Sequence, residues 1–295
     1  MAVTAAQVKE LREKTGAGMM DCKNALAASD GDMEKAIDWL REKGIAKSIK
    51  KANRIAAEGL TKIVIDGNKA VVVEINSETD FVAKNEQFLK LLDDTAKTIL
   101  ASDAKTVEDA LALAFNGHTL NDEIINATAT IGEKISLRRF ALLTKADDEL
   151  FGDYSHMGGA KSTLVVLKGG NAELAHYMAM QITSMAPSYV SSADLPKDVV
   201  DHEREVQTQI VANDEKNASK PADIIAKMVE GKVSKALKDM CLVDQEYFLD
   251  SNKKVSQVLK EANASVRTFV RYEVGEGMEK RTENFAEEVA KQMNA

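Results

Sequence analysis

The sequence predicts an α+β protein built on a duplicated plan, and three observations carry that prediction. A β-hairpin pattern, a helix with one apolar stripe and a closing strand follow one another twice along the 295 residues. The two closing strands look alike, ISLRRF at residues 135–140 against ASVRTF at 264–269. Short helical patterns precede the first copy, and two longer helices interrupt the second. Two α/β subdomains, each an antiparallel sheet with helices on one face, satisfy this order.

Residues 1 to about 42 read as three short helices. Thr4-Ala5-Ala6-Gln7 is a capping box that opens a helix with Val8 and Leu11 on one face. Thr15-Gly16-Ala17-Gly18 breaks it. A second helix from about Met19 offers Met20, Ala25 and Leu26 and stops at Asp30-Gly31. Asp32 caps a third, with Met33, Ala36, Ile37 and Leu40 at i, i+3, i+4 and i+7, ending before Gly44. So small a helical unit lies at the edge of independent stability. Its trihelical plan resembles ubiquitin-associated domains, which serve as docking modules. Two adjacent methionines after a Gly-rich turn cannot both face a core this small, so one of Met19 and Met20 is expected at the surface unless both fill gaps inside. Lys43, Lys47, Lys50, Lys51 and Arg54 continue at helical spacing as a basic stripe through a linker that ends near Ala56. The stripe reads either as RNA contact or as a solvated helix face, and the net charge of −8 favours the face.

From Glu58 the pattern becomes α/β. Residues 60–65 and 69–75 form a hairpin across Asp66-Gly67-Asn68. Phe88, Leu91, Leu92, Thr95 and Ile99 mark a helix with one apolar face. Thr106 caps a helix carrying Val107, Ala110, Leu111 and Ala114. Ile124, Thr128 and Ile131 mark another, and residues 135–143 close the unit. In the second copy, residues 154–156 and 163–167 flank Gly158-Gly159. Asn171 caps a helix bearing Leu174, Met178, Ile182 and Met185, and Val266, Thr268, Val270, Tyr272 and Val274 alternate in the last strand. Between them, helices at 197–212 and 222–235 flank a turn-rich break. Val199, Val206 and Ile210 face one way in the first, while Ile224, Ile225, Met228 and Val229 supply the second. That is too little core for a domain and suits a projecting antiparallel hairpin. After the Gly275-Glu276-Gly277 hinge, Phe285, Val289 and Met293 form the stripe of a C-terminal helix that must dock on something. The expected divisions are 1–54, 55–146, 147–189 with 237–275, the insertion 190–236, and 276–295.

The chain is organised around the stretch Asn76-Ser77-Glu78-Thr79-Asp80-Phe81-Val82-Ala83-Lys84-Asn85, set between the strand KAVVVEI and the Phe88 helix. It is short and polar and carries one aromatic beside one carboxylate, with Phe81 near its apex. Loops on rigid elements are where function concentrates. On spacing alone two readings stand: Phe81 folds back as a hydrophobic staple with Asp80 or Asn85 capping the helix, or Phe81 is an exposed binding tip.

Composition narrows the function. With 39 basic and 47 acidic residues, the chain lacks the cationic surplus of a protein that coats nucleic acid. Cys22 and Cys241 stand far apart, in no metal or redox spacing, which indicates free thiols in a reducing cytosol. No apolar run suits a signal peptide or a membrane span. His118, His156, His176 and His202 have no ligand spacing, so no metal or cofactor is expected. Gly158-Gly159-Ala160-Lys161-Ser162 mimics the tail of a phosphate loop but lacks its glycines and lies between strands. With no catalytic constellation, the chain is expected to act by binding rather than as an enzyme.

TDFVAKN at 79–85, TGAGMMDCK at 15–23, IGEKISLRRF at 131–140 and VRYEVGEG at 270–277 together resemble bacterial translation elongation factor Ts, over essentially the whole chain. The resemblance implies a cytoplasmic guanine nucleotide exchange factor whose partner is the GTPase elongation factor Tu. Thr79, Asp80, Phe81 and Val82 would dislocate the partner's Mg²⁺, with Phe81 wedging between two GTPase helices, so that GDP leaves and GTP can bind. Arg12, Met19, Met20, Lys23, His156 and Phe285 would make docking contacts. The inserted hairpin would be a coiled coil, in some members a surface for homodimers. Ala160-Lys161 departs from the Arg expected after the paired glycines, which leaves any ion pair there open. The competing reading is an RNA- or ribosome-associated protein using the 43–54 stripe.

Overall fold

The computed structural model describes residues 3–217 and 220–279, and they form mixed helix and sheet, an α+β fold. Two compact units divide them: residues 3–143 with Met157–Lys161 and the segment from Tyr272 onward, and Thr144–His156 with Ser162–Arg271.

The first unit begins with α1 (Ala5–Thr15), α2 (Met19–Ala28) and α3 (Met33–Lys51). Thr4 and Gln7 form the reciprocal cap that opens α1, Gly16 ends it in the left-handed region, and Asp32 caps α3. Leu11, Cys22, Ala25, Leu26 and Ala36 are the buried centre of this trio. Cys22 takes the inward place that Met20 was expected to fill, and both methionines are exposed, Met19 at 60% and Met20 at 64%. The core is already complete with Val8, Met33, Trp39 and Leu40 around it. Gly44 does not stop α3. It is buried inside the helix, and a Cβ built there would touch the Ala129 Cβ at 3.5 Å. Packing of α3 against a later helix therefore offsets the roughly 1 kcal/mol that glycine costs a helix.

The sheet of this unit holds β1 (Glu58–Asp66) and β2 (Lys69–Ser77), antiparallel with Asp66 opposite Lys69 across a two-residue turn at a left-handed Gly67. After α4 (Asp80–Ala83), α5 (Glu86–Leu100), α6 (Val107–Leu111), the two-residue strands β3 (Ala114–Phe115) and β4 (His118–Thr119), and α7 (Leu120–Ile131), the chain returns as β5 (Ser136–Thr144) beside β2. Ala114, expected in a helix, lies in β3. Every predicted stripe residue of α5 is buried, and Val71, Val73 and Ile75 of β2 meet Phe88, Leu91, Leu92 and Ile99. Each fully buried large side chain of this kind contributes about 1.5–3 kcal/mol.

The second unit repeats the plan. β6 (Glu149–His156) and β7 (Lys161–Lys168) lead to α8 (Ala172–Met185), capped by Asn171. Then come α9 (Lys197–Ala212), α10 (Ala222–Asp239), the hairpin β8 (Glu246–Tyr247) with β9 (Asp250–Lys254), α11 (Val255–Glu261) and β10 (Ser265–Glu273). Both three-stranded sheets put the second hairpin strand in the centre and the closing strand beside it: β1-β2-β5 and β10-β7-β6. The arginine shared by the two closing strands grips a buried glutamate in each: Arg138 on Glu74 at 2.9 Å and Arg267 on Glu149 at 2.7 Å. The hairpin of α9 and α10 has its own small core of Val211, Val229 and Val233 with Ile225 and Leu237. Ile210 and Ile224, assigned inward by the sequence, are exposed instead, because helix pairing selected the neighbouring residue in each case.

Candidate functional site

Strand β2 ends at Ser77, and the next residues do not form an open loop but turn at once into α4, a four-residue helix. Thr79 is its N-cap, its hydroxyl accepting from the Val82 N–H at 3.4 Å. Asn85 caps α5 separately, accepting from Gln87 N–H at 2.8 Å. Of the two residues proposed as caps, Asn85 plays that part and Asp80 does not.

The turn divides its side chains cleanly. Val82 packs against the core beside buried Ala83. Phe81 points the other way and is 80% exposed, so it is not a staple. Phe88 already occupies the inward aromatic position, wholly buried. Leaving one large aromatic in water on an ordered turn forgoes about 1.5–3 kcal/mol of burial.

Lys84 bridges the two residues at the tip. Its Nζ bonds Asp80 Oδ2 at 2.8 Å and lies 5.9 Å from the Phe81 ring centroid. This hydrogen bond holds the Asp80 carboxyl below the usual carboxylate range, so an anion stands beside the exposed ring. The backbone below is held by side chains. Ser77 Oγ donates to the Thr79 carbonyl at 3.0 Å, and the Thr79 N–H and hydroxyl both donate to Glu133. Sequence reading missed Glu133. Its signal was a carboxylate directly after the left-handed Gly132 that ends α7.

The other candidates lie on separate surfaces. Arg12, Met19, Met20 and Lys23 are exposed on α1 and α2. His156 ends β6, exposed, with its Nδ1 3.1 Å from the Tyr154 hydroxyl. Phe285 lies outside the described residues.

The basic stripe has internal partners. Lys47 pairs with Asp21 at 3.0 Å, and Lys51 donates to the Thr128 carbonyl. Arg54 pairs with Glu78, and Lys43 covers the Trp39 ring. These contacts leave a weak basis for phosphate recognition. Burial pushes the thiols of Cys22 and Cys241 upward, away from the reactive thiolate. Among the described residues no group of three His, Cys, Asp or Glu is placed to hold a metal ion, and no helix is long and apolar enough to cross a membrane.

A family model described as Elongation factor TS matches residues 78–276, from Glu78 through the candidate tip to Glu276 just beyond β10. With more than half its length matched, the chain belongs to the elongation factor Ts family, which implies a part in protein biosynthesis as a guanine nucleotide exchange factor for elongation factor Tu.

Proposed function

We propose that this protein binds GDP-bound elongation factor Tu and drives Asp80 and Phe81 into its GTPase domain. Mg²⁺ is displaced there, GDP leaves, and GTP can enter. The observation that carries the reading is Phe81, 80% exposed on a turn whose backbone is anchored at Thr79 by Ser77 and Glu133. The factor does no bond chemistry. It prefers the nucleotide-free partner, and linkage requires that GDP bind the complex equally less well. Thr79 orders the turn and Val82 seats it. The Asp80 carboxylate repels the groups that hold the metal, and the ring fills the gap between partner helices.

Magnitudes require further contacts. A thousand-fold acceleration needs about 4 kcal/mol of preferential binding, while one buried Phe supplies about 1.5–3 kcal/mol. The rest is assigned to a ubiquitin-associated-like docking module at 1–54, using Arg12, Met19, Met20 and Lys23. His156 and the 276–295 module, with Phe285, add to it. Within this reading 55–146 is one core subdomain, 147–189 with 237–275 the other, and 190–236 an inserted coiled-coil hairpin. Self-association through that hairpin has no support in its small, internally satisfied core. The protein acts in the cytoplasm, without a cofactor and without direct nucleic-acid contact.

The test is the release of a fluorescent GDP analogue from the cognate elongation factor Tu, with and without this protein. Acceleration that disappears with Asp80→Ala, Phe81→Ala supports the reading. A folded double variant as fast as wild type overturns it.

A further inference from the structure

Two short stretches far apart in sequence hold each other by their backbones. The Glu133 carboxylate accepts the Thr79 N–H at 3.0 Å on Oε2 and the Thr79 hydroxyl at 2.8 Å on Oε1. In return, Glu78 Oε1 accepts the Lys134 N–H at 2.6 Å. Residues 78–79 and 133–134 thus exchange carboxylate-to-amide bonds, the charge-assisted kind that are shorter and stronger than neutral ones. The clasp extends to the end of the N-terminal helices. Arg54 Nη1 bonds Glu78 at 3.2 Å, and Lys134 Nζ donates to the carbonyls of Ala52 at 2.7 Å and Arg54 at 3.0 Å.

The clasp closes one residue before Asp80. With Ser77 Oγ on its carbonyl, Thr79 has its N–H, its hydroxyl and its C=O all engaged. A four-residue helix has too few internal bonds to persist alone. An exposed aromatic on it would collapse onto nearby apolar surface unless its backbone were held elsewhere. The Glu133 carboxylate supplies that hold.

We propose that Glu133, with Glu78 as its reciprocal partner, is the positioning residue of the exchange reaction: it fixes the start of α4 so that Asp80 and Phe81 meet the GTPase already in their working orientation. Glu133 need not touch the partner. Its effect is preorganisation, which lowers the cost of ordering the tip in the open complex and so appears in the maximal rate rather than in docking affinity. This rests on the reading of Asp80 and Phe81 as the wedge.

The experiment measures catalysed GDP release with the full chain over a range of factor concentrations. The proteins are wild type, Phe81→Ala, Glu133→Ala, Glu133→Gln, the Asp80→Ala, Phe81→Ala double variant, and that double variant with Glu133→Ala added. Glu133→Ala should lower the maximal rate by roughly ten-fold while the half-saturating concentration stays within about two-fold. Glu133→Gln, whose amide oxygen still accepts one of the two bonds, should recover part of the loss. Adding Glu133→Ala to the Asp80→Ala, Phe81→Ala variant should slow it no further, because Glu133 acts only through those two tip residues. Wild-type rates for Glu133→Ala beside a slow Phe81→Ala overturn the inference and leave the wedge standing. A further fall in rate on adding Glu133→Ala to the Asp80→Ala, Phe81→Ala variant overturns it too. A Phe81→Ala protein at wild-type rate removes the wedge and the inference together. Should Glu133→Ala not fold, Thr79→Val, which deletes one clasp bond and the cap, must show the same loss in maximal rate for the inference to hold.

Discussion

The carboxylate of Glu74, wholly buried in the central strand β2, accepts the Nε–H of Arg139 at 2.5 Å. Arg138 reaches the other oxygen at 2.9 Å, and the Gly275 N–H donates to it at 3.0 Å. The Arg139 guanidinium lies 4.2 Å from the Tyr272 ring centroid, where burial pushes the phenol up to about 12. One acid therefore ties the first sheet to residues 272–276. The approach is close enough that a Cβ on Gly275, at φ 69°, would stand 2.2 Å from the Ala57 carbonyl oxygen.

Removing that acid strands two arginines that keep only part of their solvation. Glu74→Ala is expected to cost about 3 kcal/mol in urea unfolding, within the range for breaking one side of a buried ion pair. A loss below about 0.5 kcal/mol, the level of an exposed pair, would show that the network contributes little.

Phe81→Ala should leave the melting temperature nearly unchanged, because the ring makes no core contact. It should slow GDP release by roughly 10- to 100-fold, the equivalent of about 1.5–3 kcal/mol of open-state contact. Asp80→Ala removes only an exposed, solvent-screened ion pair, so the melting temperature should hardly move. Under the proposed displacement of Mg²⁺, added Mg²⁺ should oppose wild-type exchange and oppose the Asp80→Ala, Phe81→Ala variant much less. Equal Mg²⁺ sensitivity in both proteins would refute that link.

Arg41 of α3 bonds Asp122 of α7 at 2.6 Å and holds its carboxyl down at about 2. A carboxylate depressed on folding stabilises above its unfolded pKa, near 3.9, and loses that contribution as pH falls toward 2. Asp122 is largely covered but Arg41 is half exposed, so solvent screens part of the stabilisation that the pair contributes at neutral pH. Arg41→Ala should show a deficit in chemical unfolding at pH 7, and the gap from wild type should close by about pH 2. A deficit independent of pH would assign it to packing rather than charge.

The ends of the α9–α10 insertion meet. Tyr189 N–H donates to the Met240 carbonyl at 3.1 Å, and Leu242 N–H donates back to the Tyr189 carbonyl at 2.9 Å. Replacing residues 192–238 by a short Gly/Ser linker should therefore leave the second unit folded and exchange largely intact. Loss of nearly all activity in a folded protein would give the hairpin an essential role.

Much of the architecture was readable because it is local. Helix caps at Thr4, Asp32, Thr106 and Asn171, the Gly67 turn and the Phe88–Ile99 stripe each need only a few adjacent residues to specify them. The likeness of the two closing strands likewise announced the repeat that the two sheet orders display.

What spacing left open was decided by residues distant in the chain. Gly44 reads as a stop until α7 arrives to pack on it, and Met20 reads as core until Cys22 fills the place. Glu74 lies within a β-branched run that reads only as a buried strand, and only the fold brings Arg138 and Arg139 to its carboxylate. Local pattern alone was enough to place an aromatic beside a carboxylate between strand and helix. Whether Phe81 turned inward or outward depended on the inward space already being occupied by Phe88 and on Glu133 holding Thr79 from 54 residues away. Burial and long-range hydrogen bonding are properties of the assembled chain, and no local pattern encodes them.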